Sequence, residues 1–428
     1  MKNLLSKIAA LILAVSLSLF VFGCDNPSND DIVQTTGEYK YKIANGTRDV
    51  IDENGEIVLD DEGNAKQESY KYYVITGYQV SSEDSLKMAS GDFSTVTKYR
   101  KIEIPKTGKD LGEENEYPVE EIEGGAFTNQ IILTDVVVGK NIKKIGEGAF
   151  AGCTNLKTIQ LPFVGESIDA TNSARVFGHI FGNSATSEEN VEVTSKITER
   201  KDQDGNSILT ESTVTFKVPK SLQEVSLASS EITNISECAF YGMTMLKKVI
   251  LPDSVTEIDS HAFYECSGLL EFNLNKVVTV YESAFANCTA LKSVNFGSVE
   301  YVKQAAFQGC TSLGYNRFAS DTTSESEEAL TIKLPSSVKE IGKGAFKGCS
   351  SVKYFNIKET QVTVIDNSVF ADCLTLVKIT IKDDSIIRAG AFINCTELAI
   401  DTDSDGKDDS FNVVGTYTAE VGAFDTLS

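Results

Sequence analysis

Tryptophan is absent from the 428 residues, and histidine occurs only at His179 and His261. Two imidazoles far apart in the chain leave acyl transfer without a signalled nucleophile and base. The missing Trp removes one common sugar-stacking platform, although 15 Tyr remain. Basic charge is scarce as well: 39 Lys and Arg face 62 Asp and Glu, a net charge of −23. That balance excludes sustained attraction to a phosphate backbone and so argues against a nucleic-acid partner. No Walker-type glycine loop, Rossmann fingerprint, Cys-x-x-Cys pair or Cys/His metal spacing is present. Paired carboxylates for polysaccharide hydrolysis stay open, because with 62 acids any chosen pair is uninformative. The expectation is a protein that is not an enzyme.

Long apolar runs are missing except at the start. Lys2 and Lys7 precede an apolar run from Ile8 to Phe22, shorter than the ~20 residues of a comfortable membrane span. This reads as an export signal over 1–24. Its ending, "VFGC", resembles a bacterial lipoprotein lipobox, with Phe22 where a small residue is usual. The resemblance implies lipidation of Cys24 and anchoring at the bacterial cell envelope. Polar, Pro-containing residues 25–37 suit a flexible tether.

What the chain has in abundance is repetition. Ala-Phe pairs, with Val369 replacing Ala once, place Phe at 127, 150, 240, 263, 285, 307, 346, 370 and 392. The usual step is 22 to 24 residues; Phe150 to Phe240 takes 90 and Phe307 to Phe346 takes 39, which read as insertions. Five residues before each Phe stands Ile or Val, from Ile122 to Ile387, and six after it, from Leu156 on, stands Leu or Val. A period of this length with fixed apolar slots means one coil of a solenoid per unit, each completing its core against its neighbours. In "LKTIQLP" the alternation of Ile159 and Leu161 with Thr158 and Gln160 is that of a half-buried strand, so stacked units build a parallel sheet. Nine such coils extend a strand face over roughly 40 Å.

The consensus V-x-x-I-x-x-x-A-F-x-x-C-x-x-L-x-x-I-x-L-P, from about Tyr117 to Leu398, resembles the BspA-like leucine-rich repeats of bacterial surface proteins. The resemblance implies an α/β-type repeat solenoid, a leucine-rich-repeat array with parallel strands on one face, and a role in adhesion to host matrix proteins or other cells. Residues 38–115, with Tyr, Ile and Val runs between Asn-Gly and Glu-Gly turns, read as an N-terminal β-rich cap. Residues 116–162 hold the first repeats, 163–218 an insertion with a β hairpin, and 219–428 the remaining repeats and a C-terminal cap. Asn316 and Asp401 fall in strand slots that should be apolar, so distorted coils are expected there.

Seven cysteines, Cys153, Cys266, Cys288, Cys310, Cys349, Cys373 and Cys395, follow the repeat Phe by three residues, and Met243 fills that slot once. A slot shared by Cys and Met behaves as a core hydrophobe, so buried free thiols are expected rather than disulfides. Asp401, Asp403, Asp405 and Asp409, with Gly406 between them, have the spacing of a calcium loop, yet Asn412 replaces the closing Glu. Otherwise no cofactor is signalled. The variable strand positions Thr158, Gln160, Lys248, Ile250, Glu271, Asn273, Ser293, Asn295, Tyr315, Arg317, Tyr354, Asn356, Lys378 and Thr380 form the candidate face for a macromolecular partner. Tyr315, Arg317 and Tyr354 are of types enriched in binding hot spots. An envelope-associated structural scaffold is the alternative role.

Overall fold

Each coil turns on the residue pair that the sequence repeats most faithfully. The computed structural model describes residues 34–36, 39–52, 56–60, 62–92, 96–109, 116–199, 210–315, 326–382 and 385–401. In it the repeat Phe amide donates to the carbonyl of the residue before a Phe of the next coil, most often Ala, as in Phe127 to Ala149 (2.7 Å), Phe263 to Ala284 (2.7 Å) and Phe370 to Ala391 (2.9 Å). The rings stack face to face along the axis: Phe240, Phe263, Phe285 and Phe307 follow one another at 5.1, 5.1 and 5.2 Å, within 6° of parallel. Every one of these rings is buried, and each contributes roughly 1.5–3 kcal/mol through burial alone.

The turn around Phe is not helical, and a local backbone pattern explains why. Residues two before Phe (Gly125, Cys238, His261, Ser283, Ala305 among them) and two after it (Asn129, Glu265, Asn287, Asp372) have φ between 55° and 75°. Alternating hands point successive odd amides toward the next coil: His261 donates to Glu282 O (3.0 Å), Phe263 to Ala284 O and Glu265 to Ala286 O (2.9 Å). An α-helix would turn those amides back into its own ladder. The left-handed conformation costs a residue with a Cβ about 1–2 kcal/mol, which accounts for the Gly, Asn, Asp and Ser that crowd these slots.

Two parallel strand ladders close the coil. On one side lie eleven described strands, Lys101–Glu103, Asp135–Val137, Thr158–Leu161, Glu224–Leu227, Lys248–Ile250, Glu271–Asn273, Ser293–Asn295, Thr331–Lys333, Tyr354–Asn356, Lys378–Thr380 and Ala399–Asp401, paired in three blocks. On the other, two-residue strands carry the Ile and Val that stand five before Phe, in the order Asn234–Ile235, Glu257–Ile258, Thr279–Val280, Tyr301–Val302 and Glu340–Ile341. This second ladder carries no alternation long enough to be read from sequence.

The stretch 163–218 contains more than an inserted hairpin. Its segment Phe177–Phe181 takes one level of the ladder: Phe150 donates to Ile180 O (2.8 Å) and Phe177 to Ala239 O (2.8 Å), with the Phe177 ring 5.1 Å from Phe240. Glu224–Leu227 then supplies that coil's strand, between Thr158–Leu161 and Lys248–Ile250. The antiparallel hairpin Asn190–Glu199 and Thr210–Pro219 loops out in between. Long-side strands also begin earlier than the first Ala-Phe, with Lys101–Glu103 against Asp135–Val137. Before it, the Gln67–Tyr78 strand pairs antiparallel with Tyr39–Asp49 and parallel with Glu116–Ile122, and the Tyr78 ring lies 5.6 Å from Phe127.

Two expected distortions resolve differently. Around position 316 the strand is supplied by Thr331–Lys333, whose Ile332 is buried. At the last coil the spacing shortens by one residue, so that Ile400 rather than Asp401 pairs with the interior Ile379.

Ala305 has φ 55°, so Ala305→Gly relieves left-handed strain. Chemical denaturation is expected to show a gain of about 1 kcal/mol, less the larger unfolded-state entropy of Gly.

Candidate functional site

The long-side strands bury their central residue and turn the residues on either side of it outward, so that Thr158 and Gln160 flank buried Ile159 on the outer side. Much of the outward surface is already partnered. Thr158 Oγ1 donates to Asp135 Oδ1 (2.6 Å), Asn295 Nδ2 to Asn273 Oδ1 (3.0 Å), and Lys248 lies 3.6 Å from Glu224. Partial burial pushes the Asp135 carboxyl up, but hydrogen bonds from Thr158 and Thr134 outweigh it and hold it below its ordinary value. Glu271 and Asn273 pair in register with Ser293 and Asn295, and Ser293 is buried although it was read as a face residue. Ile250 is exposed.

Of the three hot-spot candidates, Tyr315 and Tyr354 do not come to stand side by side. Thr331–Lys333 stands directly beside Tyr354–Asn356, so Tyr315 and Tyr354 are not on adjacent strands. The Tyr315 amide instead donates to Lys292 O (3.1 Å). Arg317 lies outside the described residues. The sequence signal missed here was "TIKLPSSV", which repeats the strand and corner of other units and marks Thr331 and Lys333 as face residues. Between Val294–Gly297 and Ile332–Ser336 a cleft of about 540 Å³ opens, with Asn295, Lys333 and Glu359 in its lining. The C-terminal block is regular: Tyr354 has Thr331 on one side and Lys378 on the other, and Asn356 has Lys333 and Thr380.

Cys24 and the candidate calcium ligands Asp403, Asp405 and Asp409 lie outside the described residues; Asp401 ends the last strand. Among the described residues no group of three or more His, Cys, Asp and Glu side chains is placed to hold a metal. The repeat thiols are free and buried. Each donates to the carbonyl of the preceding unit's Phe, from Cys153 to Phe127 O (3.1 Å) through Cys288 to Phe263 O (3.1 Å) to Cys395 to Phe370 O (3.0 Å). Burial pushes the Cys153 thiol up to about 12. A protonated, enclosed thiol is a poor nucleophile.

A BspA type leucine rich repeat region in six copies matches residues 70–199, 212–331 and 325–400. The chain belongs to this family. Solved structures similar to it include a leucine-rich repeat protein from Bacteroides ovatus, 18% identical, with 86% of this chain and 81% of that one covered and a TM-score of 0.37. A leucine rich cell surface protein from Faecalibacterium prausnitzii is 19% identical, with 89% and 96% covered and a TM-score of 0.27. The pneumococcal vaccine antigen PcpA is 13% identical, with 88% and 95% covered and a TM-score of 0.27. No curated protein matches the chain.

One titratable group sits deep in this BspA-type array. His179, in the coil hidden at 163–227, is buried and its Nε2 has no hydrogen-bond partner among the described residues. Desolvation holds its imidazole below the ordinary 6.5; Glu166 and Glu147 nearby pull it upward, and Lys144, 3.3 Å from Glu166, opposes them. The unfolded chain therefore takes up the His179 proton first as the pH falls. Stability is complete above pH ~6.5 and declines as the pH drops through that value toward the lower folded one. Denaturation free energies measured at pH 7.5 and 5.5 are expected to differ by about 1 kcal/mol more in the wild type than in His179→Leu.

The thiol ladder yields a second expectation. An aromatic disulfide reagent is expected to leave Cys153, Cys238, Cys266, Cys288, Cys310, Cys349, Cys373 and Cys395, all buried, unreacted in native buffer and to label them all in denaturant, as counted by mass spectrometry.

Proposed function

We propose that this is an exported adhesion protein, anchored through lipidated Cys24 and a tether over 25–37. Its solenoid presents a strand face to a macromolecular partner, either a host matrix protein or another cell. The observation that carries the reading is the regular C-terminal block, in which Thr331–Lys333, Tyr354–Asn356, Lys378–Thr380 and Ala399–Asp401 keep one register. Side chains on such a block are held at strand spacing by the scaffold, so little entropy is lost when a partner settles on them. Tyr354 offers amphipathic contact area, and Lys378 opposite it and Lys333 opposite Asn356 offer cationic donors on an otherwise acidic protein. Lys378 is also 3.9 Å from Glu327, which orients it across the strands.

The test is binding of the chain to immobilised extracellular matrix and to intact epithelial and bacterial cells. The double variant Tyr354→Ala, Lys378→Ala is compared with the double variant Thr158→Ala, Gln160→Ala on the N-terminal block. The first pair is expected to weaken binding by about tenfold and the second to leave it unchanged. Equal binding by both variants overturns the assignment of the block. Crosslinking in cells that captures only the cell's own envelope components supports the scaffold role instead.

A further inference from the structure

The antiparallel pair Tyr39–Asp49 and Gln67–Tyr78 forms an arm at the N-terminal end of the array. Its inner face is tied to the first coils: the Tyr70 and Tyr72 hydroxyls donate to Glu120 and Glu121, and Lys42 pairs with Glu123. Its outer face, with Ile43, Asn45 and Thr47, is open to water. Beyond the Arg48–Glu68 pair (2.7 Å) the arm ends in a feature that the solenoid does not need.

Residues 50–57, "VIDENGEI", and 58–65, "VLDDEGNA", are two copies of one octad. Three backbone hydrogen bonds link them in a ring: Val50 N donates to Lys66 O, Lys66 N to Val58 O, and Val58 N to Val50 O, each at 2.8 Å. Each octad folds back on itself, with Ile51 bridged to Ile57 and Leu59 to Ala65. Asp52 Oδ1 accepts from Glu56 N and Asp60 Oδ1 from Asn64 N, both at 2.9 Å, which locks the turns. The result is a three-way junction whose shape is set by main-chain bonds rather than by a core.

On this junction Ile51, Ile57 and Leu59 are 61%, 52% and 58% exposed. Three large aliphatic side chains left in water at this junction contribute little to folding, and exposed apolar groups gathered in one short segment are a feature of contact surfaces. The surrounding charge selects the occupant. Residues 49–68 contain eight Asp and Glu against one Lys, Lys66. Glu56 and Glu62 form no ion pair among the described residues. A second copy of this acidic tip, or an anionic lipid surface, is repelled. A basic segment with apolar side chains is complementary in both respects.

We propose that the arm tip is a docking site for a basic, apolar-bearing segment of a partner protein, with Ile51, Ile57 and Leu59 as anchors and Glu56 and Glu62 as the selecting rim. The site is separate from the strand face and lies before the family match, which begins at residue 70. It stands whether or not the strand face binds anything.

The test titrates the full chain with short fluorescent peptides alternating Lys with Ile or Val, and with isomers carrying Glu in place of Lys. The basic peptide is expected to bind. The triple variant Ile51→Ser, Ile57→Ser, Leu59→Ser is expected to weaken that binding by about tenfold with an unchanged thermal midpoint. Glu56→Gln with Glu62→Gln is expected to weaken it by about threefold and to flatten its salt dependence. Amide shifts in the wild type are expected to be confined to residues 50–66, a readout that does not depend on any variant folding. Equal binding of the acidic isomer, wild-type binding by the triple variant, or shifts outside the tip overturn the proposal. So do association with phosphatidylglycerol vesicles in place of the peptide and self-association abolished by the triple variant.

Discussion

The structure depends on one contact, the bond from a repeat Phe amide to the carbonyl of the residue, most often Ala, that precedes a Phe of the next coil. It sets the distance between coils, and that distance lets the rings stack at 5.1 Å within the core. Where Val369 stands in place of Ala the bond is kept, from Phe346 to Val369 O (2.9 Å), while the rings of Phe346 and Phe370 move out to 5.8 Å. Polar satisfaction and apolar packing are thus met by the same few atoms. The thiol three residues later adds a third strand to this joint, since its proton reaches back to the Phe carbonyl of the previous coil.

The backbone pays for the joint locally. Left-handed residues on either side of Phe aim alternate amides along the array axis, and where no Gly stands, as at Ala305 and Cys238, the chain accepts strain. Nearest-neighbour stacking recovers that cost because every coil gains from both neighbours. The first coil has no coil before it to stack on. At the N-terminal end the Tyr39, Tyr41, Tyr73 and Tyr78 rings cluster against Phe127 and one another, replacing the missing neighbour with aromatic area.

Legibility in the sequence followed the strength of each physical constraint. The Phe, Ile and Leu slots are demanded by burial at every level, so their spacing showed the solenoid, its strand face and the state of its thiols. The second strand ladder was invisible because two residues such as Glu257 and Ile258 cannot display an alternation. The coil at 163–227 was hidden because "VFGHIFG" fills the turn with Phe177, Ile180 and Phe181 instead of Ala-Phe, and a 30-residue hairpin region from 190 to 219 separates that turn from its strand. Position 316 misled for a related reason: spacing assigned a strand there, and the strand that pairs with Tyr354–Asn356 is Thr331–Lys333. Face residues were the least legible, since solvent permits almost any side chain there, and only pairing shows that Thr158 and Asn295 are already engaged with Asp135 and Asn273.

The quasi-one-dimensional build described above also governs communication along the molecule. A coil senses only the coils that touch it, and among the described residues nothing bridges the Arg48–Glu68 end and the Lys378–Thr380 end directly. Any coupling between the two ends would have to pass from coil to coil. What the shared chain does supply is proximity: a ligand caught at either extremity raises the local concentration of a second, linked ligand at the opposite one. Gains from double attachment would come as avidity governed by span and tether length.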